Sequence, residues 1–175
     1  MQTEIELIEA NLERLQGRFP GLPLDEVLIL RLILRLAHDF GLMLDHHIRP
    51  FGIGEGEFRV LAALLSQPDG EAHPGDLCAR ASQSPANMSR ISDALVRQNL
   101  ITRGACESDR RKMVLRINAK GDELVHAILP PMFEPLRKLY GELSAQEKQQ
   151  LIASLKILAA RFVEVLAPPA EGGTP

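Results

Sequence analysis

Ser84, Ala86, Asn87, Ser89 and Arg90 crowd small, hydroxyl, amide and guanidinium side chains into a short segment, and Arg97 follows in the same polar pattern. Such groups suit the floor of a DNA major groove: compact side chains let a helix axis come close to the base edges, where Asn and Arg can form paired hydrogen bonds. Farther along, Asp109-Arg110-Arg111 sets a carboxylate beside two guanidinium groups. An Arg side chain is planar and weakly hydrated, which suits the narrow, strongly negative minor groove. Asp109 would be out of place beside phosphates unless it pairs with and orients an Arg, and that pairing is expected. A surface helix with an ordinary polar face is the alternative for residues 84–97 alone; the basic segment downstream is what argues for DNA.

These side chains need a helix and a hairpin to carry them. Ser84 can accept from free backbone N–H groups at a helix start, and Pro85 lacks the donor that would otherwise be unpaired. Position three after Ser84 is Asn87, so no reciprocal capping box forms there. Met88, Ile91 and Leu95 fall at three- and four-residue spacing and should anchor this helix, leaving Ala86, Asn87, Ser89, Arg90, Asp93 and Arg97 outward. A short helix over 74–81 precedes it. Residues 100–105 and 111–117 read as strands, with Met113, Leu115 and Ile117 alternating against Lys112, Val114 and Arg116 to give one mainly apolar face. Asn118 should cap the next helix.

The rest of the chain is helical. Residues 5–17 form an amphipathic helix that ends in the Gly17 to Pro23 turn region. Residues 24–48 carry apolar side chains on more than one face, a wider stripe than one neighbouring helix needs, which predicts packing against both the chain's own domain and another chain. Pro50-Phe51-Gly52 breaks that helix, a further one covers 55–66, and Gln67-Pro68-Asp69-Gly70 is a turn. The helix begun at Asn118 meets Pro130-Pro131, which should kink or break it, and resumes to Leu143. Ser144-Ala145-Gln146-Glu147 is a capping box opening a last apolar helix. Residues 168–175 are expected to be disordered. The architecture is mainly α with a small β-wing. A winged helix-turn-helix lobe covers 53–118, and helices 1–49 and 119–167 make a helical lobe available for dimerisation.

Composition narrows the function classes. Of 175 residues, 45% are hydrophobic but only 4% aromatic, with no Trp and one Tyr, which suits a helix-rich protein better than an aromatic-lined enzyme cleft. Net charge is -3, which taken alone argues against a polyanionic partner. The distribution reverses that reading: residues 76–120 hold nine Lys and Arg against four Asp and Glu, a basic module in an otherwise acidic chain. The acidic start and the interruption of the apolar 27–33 run by Arg31 predict neither a secretory signal nor a membrane span, so a cytoplasmic location is expected. No phosphate-binding loop, hydrolase elbow or zinc-hydrolase helix is present, and Gly52-Ile53-Gly54-Glu55-Gly56 lies between helices with no strand before it. An enzyme is therefore not expected, nor is a cofactor.

The segment from Leu77-Cys78-Ala79-Arg80 through Ser84, Asn87, Ser89-Arg90-Ile91, Asp93 and Leu95 resembles the helix-turn-helix of the MarR family. Asp109-Arg110-Arg111 with Asn118-Ala119-Lys120-Gly121 resembles that family's wing and following helix. Phe19-Pro20, Arg31-Leu32 and Ile128-Leu129-Pro130-Pro131 are similar to the members that repress multidrug-efflux operons. The family's usual Thr before the helix is Asn118 here, which keeps the cap. The resemblance implies a homodimer that binds an imperfect palindrome in double-stranded DNA. In it Arg111 enters the minor groove with Asp109 as its partner, and a small lipophilic or phenolic effector releases the DNA. Candidate effector-lining residues are His46, His47, Phe51, Phe58 and Arg59; alternatively Phe51 and Phe58 are core and the His pair is surface. A metal-responsive variant would have to use Asp45, His46 and His47 with His38 and His126, although adjacent His side chains diverge on a helix. A thiol-responsive one would use Cys78 or Cys106; two such cysteines cannot form a disulfide framework and more often fill space.

Overall fold

The computed structural model describes residues 3–105 and 113–166, arranged in two compact units, 1–129 and 130–175. In order the elements are α1 (Glu4–Arg18), α2 (Leu24–Ile48), a 3-10 turn (Arg49–Phe51), α3 (Glu55–Leu65), β1 (Glu71–Ala72), α4 (Pro74–Arg80), α5 (Pro85–Arg97), β2 (Ile101–Ala105), β3 (Met113–Ile117), α6 (Ala119–Leu139) and α7 (Ala145–Leu166). Among the described residues no helix is long and apolar enough to cross a membrane. Cys106, Asp109, Arg110, Arg111 and Lys112 lie outside the described residues, as does the expected tail at 168–175.

In the first unit, the core is built where α3, α4, α5 and the sheet meet. Phe58, Val60, Leu61 and Leu64 of α3, Leu77 of α4, and Met88, Ile91 and Leu95 of α5 are all buried. The last three are the spacing that the sequence predicts as the anchoring face. Two glycines mark close approaches, of which the second requires glycine. A Cβ on Gly56 would stand 2.8 Å from Ile91 Cδ1, the movable tip of a side chain, where α3 meets α5. A Cβ on Gly121 would stand 2.2 Å from the carbonyl oxygen of Leu100, which pins the start of α6 against the end of α5.

The three antiparallel strands run in the order β1-β3-β2, with Ile101 opposite Ile117 and Ala105 opposite Met113. The two-residue β1 is not expected from the sequence; it exists because Glu71 and Ala72 pair with Arg116 and Leu115. The predicted alternation of β3 fails: Val114 and Leu115 are both buried while Met113 is 48% exposed. As the central strand, β3 receives both α3 and α4, and burial on two faces erases a period of two.

Pro130 and Pro131 do not break α6, which stays helical to Leu139 with Pro135 also inside it. Each ring removes one N–H donor, so the carbonyls of His126 and Ala127 lose the helical partner four residues on. Both residues are exposed, so water can satisfy those groups. In the second unit, Ser144 and Glu147 form the expected box: the Ser144 N–H donates to Glu147 Oε2 at 2.8 Å, and the Glu147 N–H to Ser144 Oγ at 3.2 Å. A second box at the start of α1, Thr3 with Glu6, went unread in the sequence.

Large apolar side chains remain uncovered in the single chain. On α2 these include Ile29, Leu30, Leu34, Leu36 and Leu42, and on α7 Leu151, Leu155, Ile157, Leu158, Phe162 and Val163.

Candidate nucleic-acid interface

Four residues link α4 to α5, and their backbone is set by local hydrogen bonds. Ser82 takes a left-handed conformation, φ 53°, just beyond α4. Its N–H donates to the Ala79 carbonyl and the Gln83 N–H to the Cys78 carbonyl, at 3.3 and 2.8 Å, so the last open carbonyls of α4 are closed. Ser84 then starts α5: its hydroxyl accepts from the Asn87 N–H at 3.2 Å, with Pro85 in the first turn. The far end of α5 closes in the same way as α4. Asn99 has φ 55°, its N–H donates to the Val96 carbonyl, and the Leu100 N–H donates to the Leu95 carbonyl, both at 3.0 Å. The helix is thus fixed at both termini by short-range bonds.

Its outward face carries the predicted residues. Ser84, Ala86, Ser89, Arg90 and Arg97 are exposed and Asn87 half-buried. Asn87 Oδ1 accepts from Arg90 Nε and Nη2 at 3.2 and 2.8 Å, while Asn87 Nδ2 donates to Gln83 Oε1. These side chains border an open polar cleft of about 510 Å³ between the starts of α3 and α5, where Arg59 also lies. Gln83 was not singled out in the sequence, because its role depends on where the turn aims it.

The strands add two cations, and the helices two more. Arg103 of β2 is paired with Asp93 of α5 at 2.5 Å, and Arg116 of β3 with Glu71 of β1, so both charges are locally compensated. Arg80 and Arg97 meet no carboxylate among the described residues. Lys120 Nζ donates to the Gln98 carbonyl at 3.0 Å, and Asn118 caps α6 as expected, accepting from the Gly121 N–H at 3.0 Å while its own amide donates to the Asn99 carbonyl. The end of α5, the sheet and the start of α6 therefore share one hydrogen-bonded junction. The Asp109 pairing with an Arg concerns residues outside those described.

The five effector candidates are not gathered round one cavity of the single chain. Phe58 is 6% exposed because it shares the inward face of α3 with Leu61 and Leu64, so for this residue the core alternative holds. Arg59 lies in the cleft beside Asn87, paired with Glu55 at 2.6 Å. Phe51 borders a separate cavity of about 300 Å³ with Gln98 and Lys120. His46 is exposed at the end of α2, and His47 contacts the Met43 carbonyl at 3.1 Å through Nδ1. Asp45 pairs with Arg49 at 2.8 Å, and among the described residues no three His, Cys, Asp or Glu side chains are placed to hold a metal ion. Cys78 is half-buried beside Met88 and Arg103.

Comparison with known proteins agrees with this geometry. The family model described as the MarR family matches residues 51–112. The transcriptional repressor MprA of Escherichia coli (strain K12) is 30% identical over 162 residues, 93% of this chain and 92% of that protein. The crystal structure of Sco3205, a MarR family transcriptional regulator from Streptomyces coelicolor in complex with DNA, matches with a TM-score of 0.72 at 21% identity, covering 85% of this chain and 91% of that one. BpsR of Bordetella bronchiseptica, whose DNA binding is regulated by 6-hydroxynicotinic acid, matches with a TM-score of 0.62 at 20% identity, covering 74% and 98%. With a helix-turn-helix held at both ends, a three-stranded wing sheet and a relative alike along nearly its whole length, this chain belongs to the MarR family, whose members are transcription regulators and not enzymes.

Proposed function

We propose that the protein is a homodimeric, sequence-specific transcriptional repressor that occupies a pseudo-palindromic operator and leaves it when a small lipophilic or phenolic effector binds. The outward polar face of α5, closed at both termini and bearing the exposed Arg90 and Arg97, is the observation that carries this reading. MprA is a repressor and Sco3205 was captured on DNA, which supports the same action here. Dimerisation is supported by the apolar stripes on α2 and α7, which a single chain leaves in water. Two copies related by a two-fold axis would present their α5 helices to half-sites about 10 bp apart. In the lobe assignment that goes with this reading, residues 53–118 read DNA and helices 1–49 and 119–167 dimerise.

The effector arm draws support from BpsR, which responds to an anionic heteroaromatic acid. A ligand can weaken DNA binding only by favouring an arrangement of the dimer that fits the operator less well. His46, His47, Phe51 and Arg59 are the residues proposed to report on it, with the enclosing surface completed by the second copy; Phe58, being core, drops out of that set. Control of a multidrug-efflux operon is the regulatory target proposed, from the Phe19-Pro20, Arg31-Leu32 and Ile128-Leu129-Pro130-Pro131 resemblance.

The test is a gel shift on DNA upstream of the chain's own coding sequence, against random duplex of equal length, with and without salicylate and 6-hydroxynicotinate. Preferential binding, lost on adding either compound, is the expected result. Equal affinity for both duplexes at low ionic strength overturns the reading, and binding indifferent to both compounds removes the effector arm.

A further inference from the structure

Three side chains on the turn and first coils of α5 form a hydrogen-bond relay whose direction is fixed at both ends. It starts at the backbone carbonyl of Ala81, which can only accept, and which takes a bond from Gln83 Nε2 at 3.1 Å. That turns Gln83 Oε1 toward Asn87, where only the Nδ2 amide can answer it. Asn87 Oδ1 is thereby turned toward Arg90, whose guanidinium can only donate and does so through Nε and Nη2. Flipping either amide would set donor against donor at Arg90 or acceptor against acceptor at Ala81, so the orientation follows from chemistry.

An Asn that reads adenine must offer its oxygen to N6 and its nitrogen to N7 together. Asn87 has already given its oxygen to two donors of Arg90 and one N–H to Gln83. Arg90 keeps both Nη1 hydrogens and the second Nη2 hydrogen free, the outer edge of the fork that matches guanine O6 and N7. The side chain is exposed and no carboxylate pairs with it among the described residues. We infer that Arg90 is the guanine-reading residue of α5, and that Gln83 and Asn87 are positioning residues that hold its fork in the reading orientation before DNA arrives. Holding a long side chain in place beforehand removes an ordering cost from binding, which is why the relay should sharpen discrimination.

This inference rests on the proposed DNA-reading function, and the experiment separates the two. A duplex selected by the wild-type protein from a random-sequence pool is remade with 7-deazaguanine, which lacks the N7 acceptor, at each guanine in turn, and with 7-deazaadenine at each adenine. Failure to select any sequence over random DNA sinks the function itself. Given a selected site, at least one 7-deazaguanine position in each half-site should weaken wild-type binding by about ten-fold, within the range of a lost bidentate base contact. Arg90→Ala should abolish that penalty. Asn87→Ala and Gln83→Leu should each cut it to about two- or three-fold while melting temperature stays near wild type, and adding Asn87→Ala to Arg90→Ala should change nothing further. The inference is overturned if Arg90→Ala keeps the guanine penalty. It is equally overturned if the wild type is sensitive to 7-deazaadenine and Asn87→Ala removes that sensitivity with the guanine penalty intact.

Discussion

Gly121, in the first turn of α6, lies so close to Leu100 that the carbonyl oxygen of Leu100 would be 2.2 Å from any Cβ at position 121. Leu100 is the residue whose N–H closes α5, and its carbonyl accepts from the Asn118 N–H at 3.2 Å, so three elements converge on one residue. The obstruction is backbone and cannot rotate away. Gly121→Ala should therefore destabilise the protein by about 1–3 kcal/mol, the range seen when a well-packed interior is overfilled. Urea denaturation of the variant checks this; an unchanged midpoint would mean the junction yields more easily than its geometry implies.

Ser82 supplies the left-handed residue between α4 and α5, where glycine is more usual. A β-branched side chain is disfavoured there, so Ser82→Val should lose about 1–2 kcal/mol. Ser82→Gly relieves the strain but makes the unfolded chain more flexible, and these nearly offset. Thermal melting of the two variants should thus diverge, with valine well below glycine. If valine melts with the wild type, the turn is not held in the left-handed form.

Local chemistry was the part of this molecule legible in the sequence. Ser84 with Pro85, Asn118, and Ser144 with Glu147 marked helix starts because a cap needs only residues three or four apart. Met88, Ile91 and Leu95 marked the buried face of α5 by their spacing alone. Features made by partners far along the chain were hidden. The strand at Glu71 and Ala72 exists only through Arg116 and Leu115, and the double burial of Val114 and Leu115 depends on helices approaching β3 from separate parts of the chain. For the site, the residue types on α5 were readable, but Asn87 looked like a free amide. Only the turn geometry shows its oxygen and nitrogen committed to Arg90 and Gln83. Phe58 looked equally suited to a ligand wall and to the core, since a hydrophobic ring satisfies both patterns.

Asp93 places a negative charge on the outward side of the recognition helix, held by Arg103 of β2 at 2.5 Å. Both side chains are partly exposed, so the pair should contribute less than about 1 kcal/mol to stability. Its larger effect should be on DNA. Asp93→Asn removes a repulsive charge and frees Arg103 for phosphate, so affinity for random duplex should rise several-fold, with a steeper dependence on salt. Fluorescence anisotropy over a salt series measures both. A flat response would place this pair away from the DNA backbone.

The family resemblance implies a minor-groove role for Arg111, and its removal tests that proposal. Arg111→Ala should weaken operator binding at low salt and reduce the slope of log affinity against log salt by about one phosphate contact's worth. The same salt series serves as the measurement. Unchanged affinity and slope together would remove Arg111 from the interface.

Glu147, at the start of α7, is held below the usual glutamate range, first by the Ser144 hydroxyl and then by the Ser144 backbone N–H, both of which favour the ionised carboxylate. A carboxyl whose pKa is lower folded than unfolded contributes stability that is present in full above its unfolded value and lost as pH falls through the folded one. Replacing Ser144 with Ala removes the hydroxyl, and with it most of the reason for the shift. The wild-type protein should therefore exceed Ser144→Ala in melting temperature near neutral pH, with the gap narrowing as pH drops into the acidic glutamate range. Part of the gap should survive in acid, because the hydroxyl also accepts from the Glu147 N–H whatever the carboxyl's charge. A gap independent of pH would mean that the hydroxyl acts only on the backbone and that its own bond to the ionised carboxylate contributes nothing to holding the start of α7.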